Sequence, residues 1–354
     1  NWRTVGGGLA LQVVLALLII GIPVFGYSGI LSPVFGLAND LVTSIISFSN
    51  AGSSFLFGPL LDNEKMGGMV LAVSILPTII FFSALMSIFY HLGIMQKVVY
   101  CLALLMHKSL KISGAESLAA AANVFVGQTE APLMVRPYLK KMTDSEIMSL
   151  MTGGMATVAG GVLAAYVGML SGFIPDIAGH LLTASVMSAP AALLMAKILV
   201  PEKSKPITMG SVNVPTEKIS TNLIGAAADG ATEGTKLAIN VGGMLIAFIA
   251  IVALINGFLG WAGNLVAFHE LTGEKLSLEL ILGWIFSPIA YIIGIEPENS
   301  QYVGQLIGKK IALNEFVAYL DLANNGQFLS EKSAIIASYA LCGFANFSSI
   351  AIQI

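Results

Sequence analysis

Residues 115–141 read AESLAAAANVFVGQTEAPLMVRPYLKK. The stretch is apolar enough for a bilayer core, yet Gly127 and Pro132 bracket Gln128, Thr129 and Glu130, so a helix entering it must break where the polar side chains collect. That is the sequence form of a re-entrant hairpin. Residues 298–323, ENSQYVGQLIGKKIALNEFVAYLDLA, are again apolar but too polar and too interrupted to cross as a plain helix. Glu130 precedes the second residue of a Ser145-Glu146 pair by 16 positions, and Glu315 precedes that of Ser330-Glu331 by the same 16. After each pair comes a span rich in small and polar residues, GGMATVAGG at 153–161 and CGFANFSS at 342–349. These features predict an internal repeat of about 60 residues, two similar halves meeting around one midplane site.

The rest of the chain fits an all-α integral membrane protein. Of 354 residues, 56% are hydrophobic and 10% charged, with mean hydropathy +0.85, whereas soluble domains carry about a quarter charged residues. A net charge of −3 gives no electrostatic basis for a nucleic-acid partner. Cys101 and Cys342 lie in apolar surroundings and read as small core residues. Stretches of about 20 apolar residues, the length of a span, run from Val5 to Phe25, Met69 to Tyr90, Ile147 to Leu170, His180 to Leu199 and Leu237 to Leu259. Ile30–Leu61, Met95–Lys111 and Leu276–Ile293 mix polar and apolar residues and are expected as amphipathic helices along the interface. The division that follows is a scaffold over 1–112, a first repeat over 113–200, a connecting loop and long scaffold span over 201–275, and a second repeat over 276–354. The sequence stops inside the apolar pattern ending at Ile354, and a further span is expected beyond it.

An ionised carboxylate at mid-bilayer costs from about 3 to more than 10 kcal/mol, so Glu130 and Glu315 need a use or a partner. Arg136, Lys309 and Lys310 are near enough in sequence to be counter-ions. The alternative is a ligand site: Gln128 and Thr129 beside Glu130 form a hydrogen-bonding kit, and Asn346, Ser348 and Ser349, with Phe344 two residues before Asn346, add an amide, hydroxyls and an aromatic face. Polar groups for a hydroxylated moiety and a ring face for a flat one suit a sugar joined to a heterocycle. Asn123 and Thr157 offer side-chain oxygens to a hard cation, which an unwound helix would complete with carbonyls; Asn123 can equally cap a half-helix. His91, His107, His180 and His269 are scattered without metal-ligand spacing, and Gly6-Gly7-Gly8 lacks the Lys-Ser/Thr of a phosphate loop. Glu130 and Glu315 as an acid/base pair of an intramembrane enzyme have no accompanying nucleophile.

Three strings carry a more specific signal: GQTEAPLMVRPYL at 127–139, GKKIALNEFVAYLDL at 308–322 and CGFANFSSIAIQI at 342–354. In this order they resemble the hallmark motifs of the concentrative nucleoside transporter family, with LPTIIFFSALMSIFYHLGIMQ at 76–96 and LAINVGGMLIAFIAIVALINGFLG at 237–260 falling on corresponding spans. The resemblance runs over nearly the whole chain. It implies a multi-pass protein of the cell (inner) membrane, a homotrimer, that carries nucleosides such as uridine and adenosine by symport with sodium, with proton coupling the runner-up. It places Gln128, Thr129, Glu130, Val162, Leu237 and Phe344 around the nucleobase, and Glu315, Asn346 and Ser349 on the ribose. Asn123, Val126, Thr157 and Val158 fall on the sodium positions, Thr157 standing where a serine is common.

Overall fold

A computed structural model describes residues 2–22, 27–61, 70–210 and 220–353. The ends of two predicted spans, residues 23–25 and residue 69, lie outside the described residues, as does the side chain of Ser348. The described chain is helical apart from one short antiparallel pairing, β1 (Gly21–Ile22) with β2 (Tyr27–Ser28). Its helices begin with α1 (Trp2–Ile19), α2 (Ser32–Phe57), α3 (Leu71–Ser74), α4 (Leu76–His91) and α5 (Ile94–Leu110). Next come α6 (Gly114–Asn123), α7 (Ala131–Met134), α8 (Asp144–Ala156), α9 (Gly160–Leu170) and α10 (Ile177–Leu199). The series ends with α11 (Leu223–Leu265), α12 (Phe268–Thr272), α13 (Leu278–Ile292), α14 (Pro297–Ala312), α15 (Glu315–Asn325), α16 (Glu331–Leu341) and α17 (Phe347–Gln353).

Several spans differ from their sequence reading. The first, drawn to Phe25, ends at Ile19, because the chain turns at Gly21 into the β1–β2 pair. Helix α2, expected along the interface, is long and apolar enough with its 3-10 extension to Leu61 to cross a membrane. Two of its serines bond back into their own helix, Ser47 Oγ to Ser44 O at 2.6 Å and Ser53 Oγ to Ser49 O at 3.2 Å, so these two hydroxyls do not require water. Helix α11 runs 43 residues, well beyond the predicted 237–259. It lies close on α4, since a Cβ at Gly230 or Gly234 would come within 2.8 Å of α4 atoms including Ala84 Cα and Ile80 Cα. Helix α13, also expected as interfacial, joins α14 through a 118° bend, and the pair together has the length and hydropathy of a broken span. Helix α5 is amphipathic as predicted, burying Met95, Val99, Ala103, Met106 and Leu110 on one side and exposing Lys97 and Lys108.

The repeat is visible in the order of elements. The first copy is α6, a break, α7, a 3-10 turn at Leu139–Lys141, α8, a break and α9. The second is α14, a break at Leu313 and Asn314, α15, a 3-10 turn at Gly326–Phe328, α16, a break and α17. An offset of 187 residues carries the turn at 139–141 onto 326–328 and the capping Thr143 onto the capping Ser330. The equal 16-residue spacings noted in the sequence relate positions that are not equivalent, for Glu146 is the third residue of α8 whereas Glu331 is the first of α16.

Each copy also has a clasp between the starts of its first and third helices. Ser113, which caps α6, donates to Glu146 Oε1 at 2.6 Å, while Ser333 of α16 donates to Glu296, the residue before α14. Glu146 and Ser333 are equivalent under the 187-residue offset, whereas Ser113 and Glu296 are not, so the two clasps join corresponding helix starts through one shared position. The first clasp continues into a buried cluster in which Lys197 of α10 pairs with Glu116 and donates to Ser145 Oγ at 2.8 Å. Ser149 Oγ donates to Glu116 Oε1 at 2.9 Å, so the carboxylate and ammonium are both hydrogen-bonded.

Candidate functional site

The span predicted as a plain helix over 147–170 is two helices, α8 and α9, separated by extended residues at Thr157 and Ala159. Glycines at 153, 154, 160 and 161 weaken helix propensity on both sides of the break. The equivalent break in the second copy lies at 342–346, where Gly343 has a φ of 115°. The two breaks touch. Phe344 N donates to Thr157 O at 3.3 Å, and a Cβ on Gly343 would lie 2.8 Å from Ala156 O, so only glycine combines this backbone conformation with this approach.

From that crossing a continuous hydrogen-bond relay runs through both repeats. Gln128 Nε2 donates to Ser349 Oγ at 3.1 Å, Ser349 N to Asn346 Oδ1 at 2.9 Å, and Asn346 Nδ2 to Glu315 Oε2 at 3.0 Å. Tyr166 of α9 closes it by donating to Glu315 Oε1 at 2.9 Å. Glu315 is the first residue of α15, 4% exposed, with Asn314 capping the helix through Val317 N. Its carboxylate therefore sits among oriented donors rather than opposite a salt-bridge partner. Among the described residues neither Glu130 nor Glu315 forms an ion pair: Lys309 is taken by Asp321 at 2.6 Å, and Lys310 donates to backbone carbonyls.

Of the sequence-predicted base residues, Gln128 is on the relay, and Val162, Leu237 and Phe344 belong to one apolar cluster with Val158 and Phe316. Thr129 and Glu130 instead face outward on the turn before α7, where Glu130 accepts from Gly127 N at 3.3 Å. Glu130 is thus exposed and outside the relay, whereas Glu315 is buried at its end. Two relay members escaped the sequence reading. Tyr166 was hidden in an apolar run, although a phenol there needs a partner for its hydroxyl. Gln353, which donates to Gln128 Oε1 at 2.8 Å, lies in the last apolar residues.

The predicted cation residues converge at the first break. Asn123 ends α6, is 1% exposed, and neither atom of its amide has a hydrogen-bond partner among the described residues, so it does not cap the half-helix. Its amide lies 3.1 Å from where a Cβ on Gly153 would be, and Thr157 Oγ1 donates to Gly153 O at 3.0 Å. The tip carrying Val126 is tied to the stretch following Val158 by Gly160 N donating to Phe125 O at 3.0 Å. A buried unpartnered amide oxygen, a hydroxyl and nearby backbone carbonyls are the donor set of a hard monovalent cation, and these residues fit sodium.

Comparison with known proteins agrees in outline. Residues 1–60 match a family profile described as the N-terminus of Na+ dependent nucleoside transporters, and residues 180–354 match the corresponding C-terminus. Residues 72–173 match a gate profile described as nucleoside recognition. An uncharacterized transporter of Haemophilus influenzae is 46% identical, over 99% of this chain and 82% of that protein. The nucleoside permease NupC of Helicobacter pylori is 43% identical, over 100% and 82%. Among solved structures, CNTnw in an inward-facing substrate-bound state superposes with a TM-score of 0.87 at 42% identity, covering 99% of this chain and 81% of that one. A variant of CNTnw in an outward-facing state gives 0.88 at 42%, covering 100% and 82%. The named relatives are transporters and not enzymes, which removes the acid/base reading of the two glutamates.

Proposed function

The chain belongs to the concentrative nucleoside transporter family, and from that membership we propose that it carries nucleosides across the membrane together with sodium by alternating access. The observation that carries the proposal is the relay from Gln128 to Glu315, which joins polar groups from both repeats by hydrogen bonds. In this reading Glu315, Asn346 and Ser349 receive the ribose hydroxyls, and the ligand replaces part of the relay's internal hydrogen bonding. Gln128 addresses the base edge, Thr129 and Glu130 line the rim, and Val162, Leu237 and Phe344 bound the flat ring. The two broken helix pairs are re-entrant hairpins, the repeats move together against the remaining helices, and three chains form the assembly.

Sodium held by Asn123, Thr157 and the carbonyls of Val126 and Val158 would fix the tip that carries Gln128, two residues beyond Val126. Ordering the tip in advance lowers the cost of binding nucleoside, and linkage requires nucleoside to tighten sodium by the same factor. The test is uridine and adenosine binding to purified protein as sodium is titrated at fixed ionic strength. Affinity rising with sodium supports the reading; indifference to sodium with dependence on pH would transfer the coupling role to protons.

A further inference from the structure

The offset of 187 residues that aligns the caps and turns of the two repeats places Asn123 opposite Lys310. This equivalence is spatial as well as numerical. Asn123 sits beside Gly153 of α8, and Lys310 donates to the carbonyl of Ala340 of α16, which is Gly153 carried forward by the same offset. Lys310 is 8% exposed, and its Nζ reaches Ala340 O at 3.1 Å and Cys342 O at 3.3 Å. Those carbonyls stand at the end of α16, where the break denies them the amide donors of a continued helix. In the first repeat the same position carries a neutral amide with both atoms unpartnered.

We propose that the Lys310 ammonium is a tethered cation that does permanently for the second break what a bound sodium ion does for the first. Both breaks put carbonyl dipoles into a buried region, and each needs a positive charge. In the second repeat a covalently held charge supplies it, so α14, α16 and the Glu315 end of the relay are ordered at all times. In the first repeat the charge comes and goes, so only the Gln128 tip responds to the ion. The asymmetry makes one half of the pocket a fixed platform and the other a sodium-operated clamp, and it predicts that this pair of breaks takes one sodium per chain.

The inference rests on the sodium reading of the first repeat, and two exchanged variants separate the failures. Uridine affinity of purified protein is measured by calorimetry across a sodium series, taking the slope of log affinity against log sodium below saturation, with melting curves to check folding. For the unaltered chain the slope is about one, for Asn123→Lys about zero with uridine bound in the absence of sodium, and for Lys310→Asn it steepens toward about two. A slope of zero in the unaltered chain would remove the sodium reading itself. With the unaltered chain at one, a folded Asn123→Lys variant that still requires sodium, or Lys310→Asn remaining at one, overturns the tethered-cation proposal. Where Asn123→Lys does not fold, the Lys310→Asn slope decides.

Discussion

Replacing Glu315 by glutamine keeps the shape of the side chain and removes its charge. In the relay, Tyr166 OH and Asn346 Nδ2 both donate to this carboxylate, so a glutamine must turn its own NH2 toward one of two donors. The tyrosine can rotate its hydroxyl to accept, and the fold should survive. The loss falls on the ligand. A hydroxyl bonding to a charged acceptor contributes about 1.5–3 kcal/mol net and to a neutral one about 0.5–1.5. For the two ribose hydroxyls the difference is about 2–3 kcal/mol, or about 30- to 150-fold in affinity. Because uridine and adenosine share the same ribose, they should weaken by the same factor, and a 2′-deoxynucleoside, which lacks one of the hydroxyls, by roughly its square root. Competition binding at saturating sodium, with all three ligands on the same preparation, measures the factors. Unequal losses for the two bases, or a loss under about threefold, would refute the assignment of Glu315 to the sugar.

Gln128→Ala should leave the ribose end intact and alter the ranking of purines against pyrimidines in the same competition assay; a profile parallel to that of Glu315→Gln would mean that base and sugar are not divided as proposed. Gly343→Ala forces a side chain onto a backbone with φ of 115° and against Ala156 O, and should destabilise by about 1–3 kcal/mol or more. Its melting temperature in detergent should fall measurably, with nucleoside affinity falling alongside because the crossing of the two breaks sets the relay.

The membrane class, the two broken helices and most of the polar site were legible because polar residues in an apolar chain are costly enough to be informative. Gln128, Glu315, Asn346 and Ser349 stand out for that reason, and the structure joins them in one hydrogen-bonded chain. What the sequence concealed has the opposite character. The break at 157–159 lies in a run apolar enough to pass for a plain span, since the groups it exposes belong to the backbone, and every residue carries those alike. Helix α2 reads as interfacial because its serines count as polar in composition, whereas in the helix Ser47 and Ser53 bond to its own carbonyls. Tyr166 escaped notice because a phenol reads as apolar until its partner, 149 residues away, is known. The repeat was found by its acidic residues, but its true register follows the caps and turns, Thr143 onto Ser330 and Leu139–Lys141 onto Gly326–Phe328. That two-residue correction is what brings Asn123 and Lys310 into correspondence.

Radiolabelled uridine uptake into sealed proteoliposomes puts the central claim to trial. With sodium outside and none inside, the label should accumulate above its external concentration, and collapsing the gradient with a sodium ionophore should release it. Equilibration without accumulation under that gradient, or accumulation driven equally well by a proton gradient with sodium absent, would contradict a nucleoside pocket worked by sodium at the first helix break.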